Sequence, residues 1–345
     1  MPDAKTALSD VIVPSKFLPY MIERTATLSA FVRSGIVQRT PQFDALAEDT
    51  GAINSGALIT MPFWTDLTTA AQILSDTVAA TTNKITGSAD YTAKQGRQTA
   101  YSANSLVPLL ADGDPLAAVA QLVGEYWARE DQRMLISMLK GIFLAASMST
   151  NLSSILTEDA DNATDANCIN GDTLLDAFQV LGDAKSKLTG IACHSEVENY
   201  LNKLEEVITI PESKGEPELK TWRGKQLIID DSLPKRAGTT SGSVYRTYLF
   251  GAGAFAWGEK NLADIPIEGG FGSYGQEMSR AASLGDTNVF FRRIFLMHPR
   301  GVKWTASSVA ASFPTNAELE TGANWTKVYE TKNVRIVGFD HNIGA

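Results

Sequence analysis

From Leu116 onward the large apolar residues recur at i, i+3 and i+4: Leu116, Val119, Ala120, Val123, Trp127, Met134, Leu135, Met138, Leu139, Ile142 and Phe143. Glu125, Arg129, Asp131, Gln132 and Arg133 occupy the other faces. Asp114 followed by Pro115 places an N-cap residue before a proline at the first helical position, and the next proline is Pro211. The spacing predicts a helix from Asp114 to about Ala146, on the order of 48 Å long at the usual rise per residue. Such a helix is severalfold longer than the globular average and is expected to act as a spine rather than a core filler.

The chain before it reads differently. Prolines at positions 2, 14, 19 and 41 break the first 50 residues, which predict an extended arm with one docked helix in Pro19–Val37 carrying Met21, Ile22, Leu28, Phe31, Val32 and Ile36. GALITMPF (56–63) predicts a strand, and QTAYSANSLVPL from Gln98 predicts a second. Residues 65–97 are dominated by Thr, Ala, Ser and Asn, with too few large apolar side chains for a core. Two readings stand for this excursion: a solvated loop, or a two-stranded hairpin lying on another subunit, which the alternation from Lys84 to Tyr91 allows.

Beyond the polar stretch 157–172 the elements become short. Thr173–Asp176 reads as a capping box opening a helix with Leu174, Phe178, Leu181 and Ala184 on one face; GIACHS reads as a buried strand, and Ser195 with Glu198 as a second capping box before a helix through Leu204. LIIDD (227–231), VYRTYLF (244–250) and AFAWGE (254–259) complete a compact α/β domain inserted after the spine. VFFRRIFLMHPRGVKW from Val289 predicts a long strand with a turn at Pro299–Gly301, followed by a short helix seeded by Pro314-Thr315-Asn316 and a last strand, Val334–Phe339. No internal repeat is visible.

Composition narrows the class. With 345 residues, 44% hydrophobic and 20% charged, the chain can build a core without disulfides or metals, and it is neither disordered nor fibrous in composition. A net charge of -9 should repel phosphate backbones and anionic membranes, so nucleic-acid contact is expected to be local or indirect. Two cysteines, Cys168 and Cys193, fit a reducing cytoplasm. The N-terminus lacks a signal-peptide pattern, and the most apolar window, Met134–Ser147, carries Lys140 and falls short of the roughly 20 residues a membrane span needs. A soluble protein is expected.

The chemical motifs are sparse. Gly270, Gly272 and Gly275 match G-x-G-x-x-G, and Gly251, Gly253 and Ala256 its looser form, but neither sits between a strand and a helix, as pyrophosphate binding requires. The histidines, His194, His298 and His341, lack metal-ligand spacing; adjacent strand residues point to opposite faces, so Cys193 and His194 cannot share an ion without a bend. His298 reads as structural. No G-x-S-x-G elbow occurs, and the carboxylate pairs Asp230-Asp231 and Glu205-Glu206 read as solvated element ends. Lys235-Arg236 and Arg292-Arg293 are expected to be ion-pair partners. Neither catalysis nor a cofactor or metal is expected.

The ordered set of arm, polar hairpin, spine helix, inserted α/β domain and late long strand resembles the major capsid (coat) protein family of tailed bacteriophages, with the α+β Hong Kong 97 type fold. The blocks SDVIVPSKFLPYMIERTATLSAFVRSGIV, IACHSEVENYLNKL, WRGKQLIIDDSLP, YLFGAGAFAWGE, EMSRAASLGDTNVFFRRIFLMHPRGVKWT and PTNAELETGANWTKVYETKNVRIV are similar to that family in order, from Ser9 to Val337. The resemblance implies an N-terminal arm and lead-in (1–50), a P-domain strand (51–63), an E-loop over a neighbour (64–97), and a P-domain segment with the spine helix (98–165). An A-domain (166–279), long P-domain strands (280–312) and a C-terminal segment closing on the A-domain (313–345) follow. Implied partners are further copies of the chain in pentamers and hexamers, a portal, a decoration protein and packaged double-stranded DNA held non-specifically, with no membrane. Because the arm begins almost at Met1, a separate scaffolding protein or none is implied, and proteolytic maturation is not expected. Trp64, Lys84, Tyr91, Lys94, Arg97, Arg129 and Arg133 are the expected subunit-interface residues; Lys84 and Lys94 lie in the E-loop, and the sequence assigns them no crosslinking Asn or carboxylate partner. The shell of a cellular nanocompartment of the same fold is the nearer alternative, and a dinucleotide-dependent enzyme, resting on the glycine motifs alone, the distant one.

Overall fold

The computed structural model describes residues 35–48, 58–104 apart from 75, 78 and 80, 115–210, 219–259, 274–279 and 286–344 apart from 307, 308, 311 and 312. Most of the arm and the first glycine motif up to residue 273 lie outside the described residues. The spine is helix α2, Pro115–Leu144, 30 residues and about 45 Å long. Its C-terminal half turns Met134, Leu135, Met138, Leu139, Ile142 and Phe143 into the largest core, so this part of the i, i+3, i+4 stripe is a buried face.

Two sheets flank this core. In the first, strand β14 (Asp286–Pro299) is the axis. Strand β4 (Gln95–Asn104) runs antiparallel along one edge from Asp286 to Phe295. The other edge carries β13 (Tyr274–Ser279) and then β12 (Phe255–Glu259), with β1 (Val37–Arg39) parallel to β12 outside it. This corrects one expectation: AFAWGE does not belong to the α/β body. An apolar strand next to a tight turn reads the same in either sheet, and only the pairing Phe255↔Pro299 through Glu259↔Phe295 assigns it. Helix α1, Pro41–Glu48, also replaces extended chain at the end of the arm, and Val37 lies in β1 rather than a helix.

The second sheet has eight strands in the order β5-β17-β11-β6-β9-β8-β7, with β10 beside β11. These are β5 (Leu152–Ser154), β6 (Leu188–Cys193), β7 (Ile208–Ile210), β8 (Leu219–Trp222), β9 (Lys225–Ile229), β10 (Lys235–Ala237), β11 (Ser243–Gly251) and β17 (Ile336–His341). Tyr248, Phe250, Ala192, Ile228 and Ile336 face the spine core, while Leu249, Ile191, Cys193, Leu227 and Val337 face helices α3 (Gly171–Gln179) and α4 (Ser195–Lys203). Both faces are covered, which is why these strands read as unbroken apolar runs. The caps differ from the sequence reading by one position or more. Asn170 caps α3 and forms the capping box with Thr173, and His194 Nδ1 caps α4 by accepting from Glu196 N at 3.2 Å. Both residues precede the apparent box, where an acceptor side chain reaches free helix N–H groups.

The chain leaves β14 through Gly301, whose φ of +86° suits glycine and whose missing Cβ leaves room for the Tyr329 ring. It then forms β15 (Val302–Trp304), paired with β16 (Trp325–Lys327), and the four-residue helix α5 (Asn316–Leu319) under a Thr315–Glu318 capping box. Among the described residues, no helix is long and apolar enough to cross a membrane.

Candidate assembly surface

The excursion after the first strand is a hairpin. Strand β2 (Leu58–Trp64) pairs antiparallel with β3 (Gly87–Ala93), from Leu58↔Ala93 to Trp64↔Gly87. Past the strands the legs stay tied: Thr65 N donates to Thr86 O at 2.9 Å, and further out the Gln72 side chain accepts from Thr81 N and donates to Thr81 O at 2.8 and 2.7 Å. The base is anchored by Asp90 on β3. Its buried carboxylate accepts from His298 Nε2 at 2.8 Å and from Gly301 N at 3.2 Å, fixing the hairpin to the end of β14. Phe63 adds an edge-on contact to Tyr329, ring centroids 4.9 Å apart.

Beyond this base the hairpin presents apolar side chains to solvent. Trp64 is 70% exposed, Leu67 71%, Ile73 95% and Leu74 100%. Isolated exposed apolar residues are ordinary, but several on one projecting element mark an interaction surface. These residues are too few for a core, and their presence in an otherwise Thr- and Ala-rich stretch is the signal the sequence carries for this surface.

The other expected interface residues are dispersed. Lys84 is exposed beside Trp64 at the cleft the hairpin borders. Tyr91 is half-buried with the Lys303 ammonium over its ring. Lys94 is only 3% exposed, so its stem is packed inside its own chain and it does not present an ammonium to a neighbour, a correction to the expectation. Arg97 is half-buried and donates to Asn316 Oδ1 at 3.1 Å; burial lowers its pKa, with Glu130 opposing. On α2, Arg129 is half-buried and exposed Arg133 pairs with Glu130 of its own helix.

The remaining candidate chemistry is used internally. Cys168 and Cys193 are free and buried, and burial raises both thiol pKa values, largest for Cys193. His341 is buried against Thr247 Oγ1 and the Asn342 carbonyl, and burial holds its pKa down to about 4. Asp230 is not a solvated strand end. It is buried and accepts from Gln132 of the spine and from Ser232 N, burial raising its pKa. Lys235 pairs with Glu196, Arg236 with Glu158 and Arg293 with Asp131 and Glu259, and the Arg292 guanidinium lies over the Phe290 ring. Gly251 and Ala256 sit in two strands of different sheets, and the motif runs directly into strand β12 rather than into a helix, so the second glycine motif makes no dinucleotide cradle. Among the described residues no group of three or more His, Cys, Asp or Glu side chains could hold a metal ion.

A long spine helix between two sheets with a projecting, anchored hairpin is the architecture of Hong Kong 97 type shell proteins. The chain aligns over its whole length with the capsid of cyanophage Pam1 (TM-score 0.63, 11% identity, 100% of both chains) and with that of Ralstonia phage GP4 (TM-score 0.59, 10% identity, 99% of both). The SrpI encapsulin of Synechococcus elongatus PCC 7942 is a weaker match, at TM-score 0.51 and 13% identity over 96% of this chain and 92% of that one. No family model matches the sequence. It is, however, 35% identical to the major capsid protein of Bacillus phage SPP1 over 343 residues, 99% of this chain and all of that protein. The chain belongs to the phage major capsid protein family.

Proposed function

We propose that many copies of this chain, as pentamers and hexamers, tile a closed icosahedral head that encloses double-stranded DNA, and that the head assembles in the host cytoplasm. The observation that carries this reading is the hairpin: Trp64, Leu67, Ile73 and Leu74 are solvent-exposed in the single chain on an element rooted by Asp90 and His298. Laid over a neighbour, they would be buried, and many such contacts repeated by symmetry close a container. The proposed role is structural, with no catalytic step. Contact with DNA is proposed to be non-specific, since the chain's net charge is -9 and the Lys235-Arg236 doublet is already paired.

In the family's terms, the hairpin of β2 and β3 with its excursion, residues 58–93, serves as the E-loop, α2 with the β14 sheet as the P-domain, and the eight-stranded sheet with α3 and α4 as the A-domain, ending near Ala254 because β12 joins the other sheet. A portal, a decoration protein and a separate scaffolding protein are the proposed partners.

The test is to delete residues 67–84 and join the legs above the Thr65–Thr86 pair, which leaves β2, β3 and Asp90 intact. The shortened chain should melt as the parent does yet yield no closed particles by sedimentation and electron microscopy. Normal particles would overturn the role of the hairpin.

A further inference from the structure

The two ends of the eight-stranded sheet carry their charges differently. Arg335 leads into β17, Lys187 leads into β6 and Lys225 opens β9; β17 and β6 both run antiparallel to β11, and β9 runs parallel to β6, so these cations gather at one end of the sheet. Gly251 closes β11 between them: it pairs with Leu188, and its N–H donates to Arg335 O at 2.9 Å. A Cβ there would lie 2.6 Å from Lys187 O and 2.9 Å from Arg335 Cβ, which shows how closely the row is set. Arg223, in the turn before β9, and Lys185, in the 3-10 turn Gly182–Lys187, extend it, and Lys332 reaches in beside Gly182.

Acids hardly offset this row. Asp183 is paired with Lys332 at 2.7 Å, and Glu330 lies near the same ammonium. Glu205 leads into β7, two strands farther along the sheet. Among the described residues, none of the other five cations pairs with a carboxylate: Lys185 donates to the Gln179 amide, Lys225 to Leu188 O and Arg335 to Ala252 O, and Arg223 lies over the Trp222 ring. At the opposite end of the same strands the cations are neutralised, Lys235 by Glu196, Arg236 by Glu158 and Arg246 by Asp340. In a chain of net charge -9, a row of free cations on one sheet end marks a seat for an anion.

The kind of anion follows from what lies between the charges. Ser186, Thr189, Gly224, Ala252 and Asn333 are exposed, small and uncharged, while Trp222 and Phe178 are buried beneath. A protein partner needs apolar or aromatic anchors at the centre of its contact, whereas a phosphate backbone needs cations and small hydrogen-bonding groups. From β17 to β9 is three strand spacings, about 14 Å, which matches the rise of about four base pairs of duplex. Resting on the shell reading above, we infer that this end of the sheet, with Lys185, Lys187, Arg223, Lys225 and Arg335, is the surface through which the chain meets the phosphate backbone of double-stranded DNA.

The experiment titrates a fluorescein-labelled duplex of about 20 base pairs with the unassembled full-length chain between about 50 and 200 mM salt, read by anisotropy. K185Q/K187Q is compared with K235Q/R236Q, which removes as many charges from the opposite end of the sheet. All four side chains are exposed, so both variants should melt near the parent. K235Q/R236Q should bind within about threefold of the parent, while K185Q/K187Q should bind about tenfold more weakly at the lowest salt and take about two off the slope of log Kd against log salt. If K185Q/K187Q fails to fold, R335Q on the β17 side of the row should take about one off that slope.

No measurable binding by the parent, or equal weakening by the two pairs, overturns the inference. So does tighter binding of a polyglutamate peptide than of the duplex, which would make the row a seat for an acidic protein. Particle formation is scored separately: K185Q/K187Q should close shells as the parent does, and shells lost in this variant alone would make the row a contact between copies and overturn the inference. Failure of the parent to form shells would instead defeat the shell reading, with the titration still deciding whether the row binds duplex.

Discussion

Asp131 of the spine helix and Arg293 of the long strand meet at 3.1 Å, and each sets the cost of burying the other. Arg293 also binds Glu259 at 2.9 Å and lies over the rings of Trp127, Trp257 and Phe295 at 5.2–5.7 Å. Burial pushes the Asp131 carboxyl up to about 6; Arg293 opposes this, while Glu259 and Glu130 add to it. The pair fastens α2 to the β14 sheet. The next residue, Gln132, donates to Asp230 beyond β9, so two consecutive spine positions hold two different sheets in register.

Because the folded state raises the Asp131 pKa, its ionisation disfavours folding. The sign is that stability from this group is complete below pH 4 and is lost as pH rises through about 6, by roughly 3 kcal/mol at 1.36 kcal/mol per unit. Denaturant unfolding of the unassembled chain at pH 4–7 should therefore show a difference curve between parent and D131N confined to that window. Parallel curves would refute it.

Removing the cation alone should be worse than removing the pair. R293M leaves the Asp131 carboxylate buried without its counter-charge and should cost about 3–5 kcal/mol at pH 7, with recovery at pH 5 as the acid protonates. D131N/R293M should be milder than R293M, and the same unfolding experiment measures both.

Two glycines of α2 should respond oppositely to alanine. A Cβ on Gly141 would lie 2.0 Å from Leu319 O and 2.7 Å from Trp325 Nε1, where the segment around α5 crosses the spine, while one on Gly124 meets nothing within 4 Å. G141A should lower stability by ~2 kcal/mol or more despite better helix propensity, and G124A should raise it by about 1 kcal/mol. Thermal melts of the two variants decide the matter.

The buried contact between Asp90 and His298 should be cooperative. D90A and H298A each strand the other partner, and a double-mutant cycle should give a coupling of about 1–3 kcal/mol. Additive losses would show that the hairpin base is held by other contacts.

Leu135 is fully buried in the middle of the spine. L135P removes a helix hydrogen bond and clashes with the preceding turn, so it should cost ~3 kcal/mol or more and abolish soluble folded chain, as judged by circular dichroism.

Much of this molecule was legible from local rules. The Asp114-Pro115 start and the apolar stripe through Phe143 locate the spine, whose end at Leu144 falls within two residues of the reading, because periodicity over many turns averages out local noise. The burial of both faces of these strands, with Ile191, Leu227 and Leu249 on one side and Ala192, Ile228 and Tyr248 on the other, shows up as continuous apolar runs. The helix caps were less legible: Asn170 and His194 cap α3 and α4 although Thr173 and Ser195 beside them are also able to cap, and backbone geometry decides which one does.

The sequence by itself determined the spine, the strand-rich order, the polar excursion and the family resemblance, because each is carried by neighbours along the chain. Tertiary structure alone decided that β12 joins the β14 sheet, that Lys94 faces inward, that Asp90 finds His298 and that Ile73 and Leu74 remain uncovered. The physical reason is the same for all four: pairing and burial between distant residues depend on which surfaces meet, and a short apolar run or a lone charge is compatible with several partners until the fold supplies one.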